Sequence, residues 1–266
     1  MSLVYAPRGL LGVLTPQANT TVEPELQLLC PPGVALLSAR MSSQAPELRQ
    51  RLWDYYEALP HWIAQFANAP LGAVASACTG SSYLIGAQAE DQLFGRLAEQ
   101  IGRPLTNSAL AVVAAMQALG ARRLALVSPY PSWLTALSQA YWQSRGLQVV
   151  QVVQLTTDTS AFHPIYALGG QAAAQGLIEI DSARCDAALL LGTGTPTLPA
   201  LVQQASLDAG QPVLSCNLVL LWHALELLER PEQAPRAETL MRLLHGRAWR
   251  ARLQQQLQGT PQEPQP

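Results

Sequence analysis

Short apolar runs alternate with longer segments of helical periodicity along the chain. Strands are predicted for residues 10–14, 34–37, 73–77, 104–107, 124–127, 149–155, 187–191 and 213–215. Between most of them, apolar residues recur three or four positions apart, which is typical of amphipathic helices. Strands that alternate with helices are characteristic of α/β proteins with parallel sheets. The pattern therefore predicts an α/β fold.

The same periodicity predicts the helices, and the composition of the last residues predicts a disordered tail. Helices are predicted for residues 22–29, 46–67, 83–101, 109–119, 132–144, 167–180, 198–209, 218–228 and 237–257. Pro60 should kink or split the second of these, because proline cannot donate the backbone hydrogen bond that a helix interior needs. The tail 258–266 is rich in Gln and Pro and is predicted to be disordered.

The two halves of the chain resemble each other. Residues 75–82, ASACTGSS, align with residues 189–196, LLLGTGTP, and both are an apolar strand followed by an X-Thr-Gly loop. The alignment places Cys78 opposite Gly192. A duplication of this kind predicts two pseudo-symmetric Rossmann-like lobes with parallel sheets and an active site in the cleft between them.

The repeat also suggests where the lobes begin and end. The first lobe is predicted to span residues 1–106, and the helix at 217–230 and the C-terminal helix 237–257 complete it. The second lobe is predicted to span residues 107–216. Because parallel strands end at one edge of a sheet, the loops that follow them should line the cleft.

Cys78 is the main candidate for chemistry. It follows a buried strand and precedes a helix, where unpaired backbone N–H groups and the helix dipole favour a thiolate and attract carboxylates. The alternative is that Cys78 is a small buried apolar residue, as most free cysteines are.

Polar groups at other strand ends could bind a carboxylate beside Cys78. The X-Thr-Gly loops offer backbone N–H groups and hydroxyls that form two facing anion cradles, and further donors could come from two side chains on the same rim. The predicted carboxylate-binding residues are Asn19, Thr79, Gly80, Tyr130, Thr193 and Gly194, and His163 and Tyr83 are further pocket candidates. Asn19 could instead cap the helix at Val22, and Tyr130 could be a packing aromatic.

Composition narrows the class of protein. The chain has 266 residues, of which 49% are apolar and 13% charged, and its formal net charge is −2. This balance offers neither the basic surface that binds nucleic acid nor a polybasic patch for membranes. Cysteines 30, 78, 185 and 216 have neither metal-ligand nor compact disulfide spacing. With no signal peptide or membrane-length apolar run, we expect a cytoplasmic protein with free thiols and no metal.

Five segments in a fixed order resemble a known superfamily. They are 12–25 with its NTTVEPE sequence, Cys78-Thr79, GARRLALVSPY at 120–130, LGT at 191–193 with PTL at 196–198, and GQPVLS at 210–215. Over residues 9–228 the chain resembles the aspartate/glutamate racemase superfamily, in the branch that holds maleate cis-trans isomerase and arylmalonate decarboxylase.

The resemblance implies cofactor-independent chemistry on a small carboxylate in an interlobe cleft, often in a homo-oligomer. Racemases of the superfamily use two cysteines on opposite faces of the substrate. Maleate isomerase also has two, of which the first is the nucleophile, and arylmalonate decarboxylase keeps only the second, as proton donor. This chain keeps the first, Cys78, and has Gly192 at the second position.

One thiol leaves several reactions open. The first is cis-trans isomerization of a small (di)carboxylic acid with Cys78 as nucleophile, which the presence of Asn19 favours. The second is decarboxylation of a malonate-type diacid, in which Cys78 protonates the enediolate. Racemization or epimerization would need Cys216, His163 or water in the missing role. A catalytically inactive carboxylate-binding protein is the remaining alternative.

Overall fold

Two four-stranded parallel sheets form the framework of the protein. The computed structural model describes residues 3–157, 164–208 and 210–258. The first sheet has the order β2-β1-β3-β4, with β1 Gly9–Pro16, β2 Val34–Met41, β3 Ala73–Ser76 and β4 Leu105–Asn107. The second has the order β6-β5-β7-β8, with β5 Arg123–Ser128, β6 Gln148–Gln154, β7 Ala187–Leu190 and β8 Val213–Ser215. The predicted α/β fold with parallel sheets is confirmed.

The internal repeat of the sequence corresponds to a repeat of strand order. β3 and β7 hold the same place in their sheets, each between the first strand of its half and the last. Cys78 lies two positions beyond Ser76, the end of β3, and Gly192 lies two positions beyond Leu190, the end of β7. The two residues therefore occupy equivalent positions, as the alignment predicts. The boundaries of the two lobes stay a prediction.

Helices connect the strands and cover the sheets. Their bounds are α1 Val22–Leu29, α2 Leu48–Glu57, α3 Leu59–Ala64, α4 Thr79–Ile85, α5 Ala87–Ile101, α6 Ser108–Ala118, α7 Ser132–Ser144, α8 Gly170–Ile178, α9 Leu198–Gln203, α10 Cys216–Glu229, α11 Ala237–Leu244 and α12 Arg247–Gln258. Within the described part of the chain, none of them is long and apolar enough to cross a membrane.

Three predicted helices are divided in the structure. The split next to Pro60 is confirmed, since α2 ends at Glu57 and Pro60 lies in the first turn of α3. The helix after Cys78 breaks at Gly86, whose φ of +76° is open to glycine but costly for other residues. The predicted C-terminal helix 237–257 is wrong as a single helix: it breaks at His245 and Gly246, where the Trp249 indole donates to the Leu243 carbonyl (2.7 Å). The predicted disordered tail starts one residue too early, because Gln258 is the last residue of α12, and its remaining residues 259–266 lie outside the described part of the chain.

Helix α10 packs closely against the first sheet although it follows the last strand of the second. It contacts α6, α1 and β3. A Cβ atom at Gly72 would lie 2.1 Å from Leu228 Cδ1, and one at Gly9 would lie 2.7 Å from the same atom. Because both positions are glycine, α10 can approach the start of β1 and β3 more closely than any side chain would allow.

Candidate active site

A small cavity of about 60 Å³ lies where the central strands of both sheets end. Its lining contains seven of the residues predicted from the sequence, namely Cys78, Thr79, Gly80, Tyr130, Gly192, Thr193 and Gly194. The first three follow β3, Tyr130 follows β5, and the last three follow β7. The structure therefore brings the two X-Thr-Gly loops together at one cavity. Their role in binding a carboxylate stays a prediction.

Cys78 is held in extended conformation directly before α4 and is 4% exposed. Its Sγ lies 3.3 Å from Ser81 Oγ, and the backbone N–H groups of Gly80 and Ser81 in the first turn of α4 lie near enough to affect its pKa. Ser81 Oγ donates its own proton to the Leu52 carbonyl (2.6 Å). Because a hydroxyl has a single proton, Ser81 Oγ accepts from the Cys78 S–H group.

The protonation state of Cys78 corrects the expectation of a thiolate. Burial raises the pKa of the thiol above its ordinary value, and the N–H groups of Gly80 and Ser81 lower it by less. Helix α4 has only seven residues, and its N-terminal donors do not compensate for the loss of water around the sulfur. Cys78 is therefore a thiol at neutral pH.

Buried hydroxyls connect the ends of the two sheets beside Cys78. Thr79 Oγ1 and Tyr130 Oη are 2.6 Å apart, and Thr193 Oγ1 donates to the Ala77 carbonyl (2.9 Å). Burial raises the pKa of Tyr130 well above its usual range, so its hydroxyl keeps its proton and remains a hydrogen-bond donor. Because one hydroxyl of the Thr79–Tyr130 pair donates to the other, the pair keeps one proton that it can give to an anion in the cavity.

Asn19 supports this arrangement from behind the cavity. Its Oδ1 accepts the N–H groups of Thr21 (2.9 Å) and Val22 (3.1 Å), which is the capping role considered for it. Its Nδ2 donates to Thr193 Oγ1 (3.3 Å). Asn19 is 1% exposed and is not part of the described lining. Its connection to the cavity is the hydrogen bond that it donates to the lining residue Thr193.

The other candidates are placed away from the cavity or outside the described residues. Tyr83 is buried in an aromatic cluster with Tyr130, Tyr141 and Trp142, at ring-centroid distances of 6.2, 5.4 and 5.5 Å, and does not belong to the described lining. Cys216 is fully buried, its sulfur accepts the Gly192 N–H, and burial raises its pKa to about 12. His163 lies outside the described residues.

Gly192 has a conformation that disfavours a second cysteine. Its φ is +89°, in the region that residues with a Cβ rarely adopt. A Cβ there would lie 2.9 Å from Pro129 Cγ and 3.6 Å from Tyr130 Oη. In the part of the chain that the structure describes, the cavity is therefore lined by a single thiol.

The structure adds residues that the sequence reasoning missed. Arg51, Tyr55 and Tyr166 line the cavity, together with the apolar side chains of Leu48, Leu52, Leu134 and Ile165. Leu48, Arg51, Leu52 and Tyr55 are spaced i, i+3, i+4 and i+7, so they share one face of α2. An arginine within an otherwise apolar stripe is the signal that could have identified Arg51.

The fold and the sequence both have known relatives. The family model described as arylmalonate decarboxylase matches residues 11–241. The maleate isomerase of Geobacillus stearothermophilus is 25% identical over 255 residues, which cover 87% of this chain and 96% of that protein.

Solved structures show the same fold at lower identity. The maleate isomerase Iso from Pseudomonas putida S16 superposes with a TM-score of 0.74 at 23% identity, covering 90% of this chain and 98% of that one. A Nocardia farcinica maleate cis-trans isomerase mutant, which carries a covalently bound succinylcysteine intermediate, gives 0.72 at 24% identity and covers 83% and 93%.

The match to the family model extends over most of the chain, from β1 to α11. The relatives that share its fold and sequence are named as isomerases or as decarboxylases, which are lyases. The chain belongs to the arylmalonate decarboxylase family.

Proposed function

We propose that the protein is a cofactor-independent isomerase that interconverts the cis and trans forms of a small unsaturated dicarboxylate, with Cys78 as nucleophile. The observation that carries this proposal is that the Cys78 thiol, the donors of Thr79 and Tyr130, and the cation of Arg51 line one cavity. A nucleophile beside groups that bind anions suits an alkene activated by carboxylates. The maleate isomerases among its relatives support the same reaction class.

The reaction begins with the loss of the thiol proton to water. The thiolate then forms a C–S bond to one alkene carbon, and the electrons of the double bond move onto the carboxylate attached to the other carbon. The remaining single bond rotates. The electrons return, the C–S bond breaks, and the thiolate regains a proton, so that nothing is consumed.

The hydrogen-bonded hydroxyl pair of Thr79 and Tyr130 is the proposed donor to the carboxylate that receives the negative charge. Both hydroxyls are buried and already positioned 2.6 Å apart. A positioned donor of this kind contributes about 3 kcal/mol to the stability of a charged transition state. The N–H groups of Gly80 and Ser81 would stabilise the thiolate that forms before addition and after release.

Decarboxylation is the second candidate, and two observations favour it. Burial keeps Cys78 protonated, as a proton donor must be. Leu52, Leu134 and Ile165 form an apolar wall, which favours the loss of a carboxylate's charge. In this reaction the C–C bond to the leaving carbon dioxide breaks, its electrons form an enediolate, and Cys78 transfers its proton to the carbon.

Proton NMR in deuterated buffer separates these reactions. We expect maleate to be converted to fumarate without deuterium on carbon, and phenylmalonate to remain unchanged. Deuterated phenylacetate from phenylmalonate, with maleate unchanged, would establish the decarboxylase instead. Conversion of neither compound, when both bind, would support the carboxylate-binding alternative and overturn the proposal.

A matched pair of variants ties the reaction to Cys78. Cys78→Ser should abolish turnover, and Cys30→Ser should keep it, because Cys30 belongs to the turn after α1 and does not line the cavity. Circular dichroism of both variants shows whether the fold is intact. Full activity of a folded Cys78→Ser protein would exclude the mechanism.

A further inference from the structure

We propose that Arg51 determines substrate specificity by binding an anionic group of the substrate remote from the carbon that reacts with Cys78. The inference rests on the proposed function, since it assumes that the substrate carries a second carboxylate. It adds to that function a site that selects dianions over monoanions.

Arg51 is the charged side chain in the described lining of the cavity. Its Nη1 donates to the carbonyls of Pro46 (2.8 Å) and Ala45 (3.4 Å), which fix the guanidinium at the first turn of α2. Arg51 takes part in none of the ion pairs formed among the described residues. Within that part of the chain, a positioned cation therefore faces the cavity without a carboxylate partner.

Arg51 and Cys78 both affect the pKa values of two tyrosines that line the cavity. The pKa of Tyr55 is raised to about 12, mainly by burial and also by Cys78, whereas Arg51 lowers it. The Tyr166 hydroxyl also lies in the field of both Cys78 and Arg51. Tyr55 and Tyr166 line the same cavity as Cys78 and Arg51, so a ligand that contacts both of the latter shares the cavity with two further hydroxyls.

The surroundings of Arg51 make an anion the favoured ligand. Leu48 and Leu52 flank it on the same face of α2, and Arg51 itself is half-buried, so its charge has lost part of its water. A guanidinium offers a planar fork of donors that matches a carboxylate in two parallel hydrogen bonds. Thr79 and Tyr130 would hold one carboxylate near Cys78 while Arg51 holds the other.

Calorimetric titration with succinate and with monomethyl succinate tests this assignment without requiring turnover. The two probes have the same carbon chain between their carboxyl groups and differ by one negative charge. We expect the unmodified protein to bind succinate at least about tenfold more tightly, because hydrogen bonds to charged groups are the stronger ones. Arg51→Gln should bind both probes equally, and Arg51→Lys should keep part of the preference.

Arg49→Gln is the matched control on the same helix. Arg49 stacks over the Trp133 ring (4.4 Å to its centroid) and is outside the described lining. Arg49→Gln changes the net charge by the same amount as Arg51→Gln, but the preference for succinate over monomethyl succinate should persist. A preference that survives in a folded Arg51→Gln protein, or that is lost equally in Arg49→Gln, would overturn the inference. So would equal binding of both probes by the unmodified protein.

These outcomes are separate from those of the proposed function. Conversion of maleate by a protein that binds both probes equally would leave the isomerase and remove the role of Arg51. A clear Arg51-dependent preference without conversion of maleate would leave a dianion site and remove the isomerase.

Discussion

At the scale of single residues, Cys78 differs from the other cysteines in what surrounds its sulfur. All four are free thiols. Cys185 and Cys216 are fully buried, and the half-buried Cys30 donates its S–H to the Val34 carbonyl (3.4 Å). Cys78 lines the cavity and lies directly before the first turn of α4. It is therefore the thiol that a ligand in this cavity would meet.

The pH dependence of the rate should report which form of Cys78 reacts. Because burial raises the pKa of Cys78, the thiolate is the minor form at neutral pH, and its fraction increases with pH. For isomerization, kcat/KM should rise about tenfold per pH unit below that pKa, since only the thiolate adds to the alkene. A rate that is constant near neutrality and falls in alkali would indicate proton donation by the thiol.

Gly192→Ala should destabilise the protein more than Gly120→Ala. Both glycines have positive φ, +89° and +63°, but a Cβ at Gly120 meets nothing within 4 Å, whereas one at Gly192 lies 2.9 Å from Pro129 Cγ. Backbone strain costs about 1–3 kcal/mol at either site, and the contact with Pro129 adds to it at Gly192. Urea unfolding measures both costs, and equal values would mean that the loop yields to the added methyl group.

At the scale of elements, Glu25 joins α1 to the start of α9. It is 5% exposed, and its carboxylate accepts the N–H groups of Thr197 (2.5 Å) and Leu198 (2.9 Å) and the Nδ2 of Asn217 (2.7 Å). A carboxylate at this point satisfies the donors at the first turn of α9. α9 follows the loop that contains Gly192 and Thr193, so Glu25 also steadies one wall of the cavity.

Glu25→Ala should lower the free energy of unfolding by about 3 kcal/mol, because it leaves several buried donors without an acceptor. Glu23→Ala on the same helix is the comparison. Glu23 pairs with a half-exposed Arg40 (2.9 Å), and such surface pairs contribute at most about 1 kcal/mol. Denaturant titration of both variants gives the difference, and a similar loss in the two would show that the Glu25 network contributes little.

At the scale of the whole molecule, several hydrogen bonds beside the cavity join segments that follow strands of the first sheet to segments that follow strands of the second. Thr79 meets Tyr130, Thr193 meets the Ala77 carbonyl, and Thr21 Oγ1 donates to the Gly194 carbonyl (2.9 Å). Helix α10 begins after the last strand of the second sheet and packs on the first. The two halves therefore share elements as well as a cavity.

Because the two halves share contacts and helix α10, we expect the protein to unfold in a single transition. Tryptophan fluorescence follows Trp142, Trp222 and Trp249, which are buried in different parts of the molecule, and far-ultraviolet circular dichroism follows the helices. The two signals should change at the same urea concentration if the halves unfold together. Two separate transitions would show that each half is stable without the other.

The sequence by itself determined the α/β class, the places of all eight described strands, and the equivalence of Cys78 and Gly192. These features are encoded locally: apolar periodicity distinguishes strands from helices, and the X-Thr-Gly repeat marks corresponding strand ends. Glu25 falls within the predicted helix 22–29, but the sequence does not indicate what its carboxylate binds.

Only the tertiary structure decided what these groups meet. Glu25 bonds Thr197, which is 172 positions away, and Arg51 reaches the Cys78 cavity because α2 packs against α4. Burial in the folded protein raises the pKa of Cys78, and Cys216 at the start of α10 does not belong to the described lining of the cavity. Burial and long-range contacts depend on how distant segments pack together, and local periodicity carries no record of that packing.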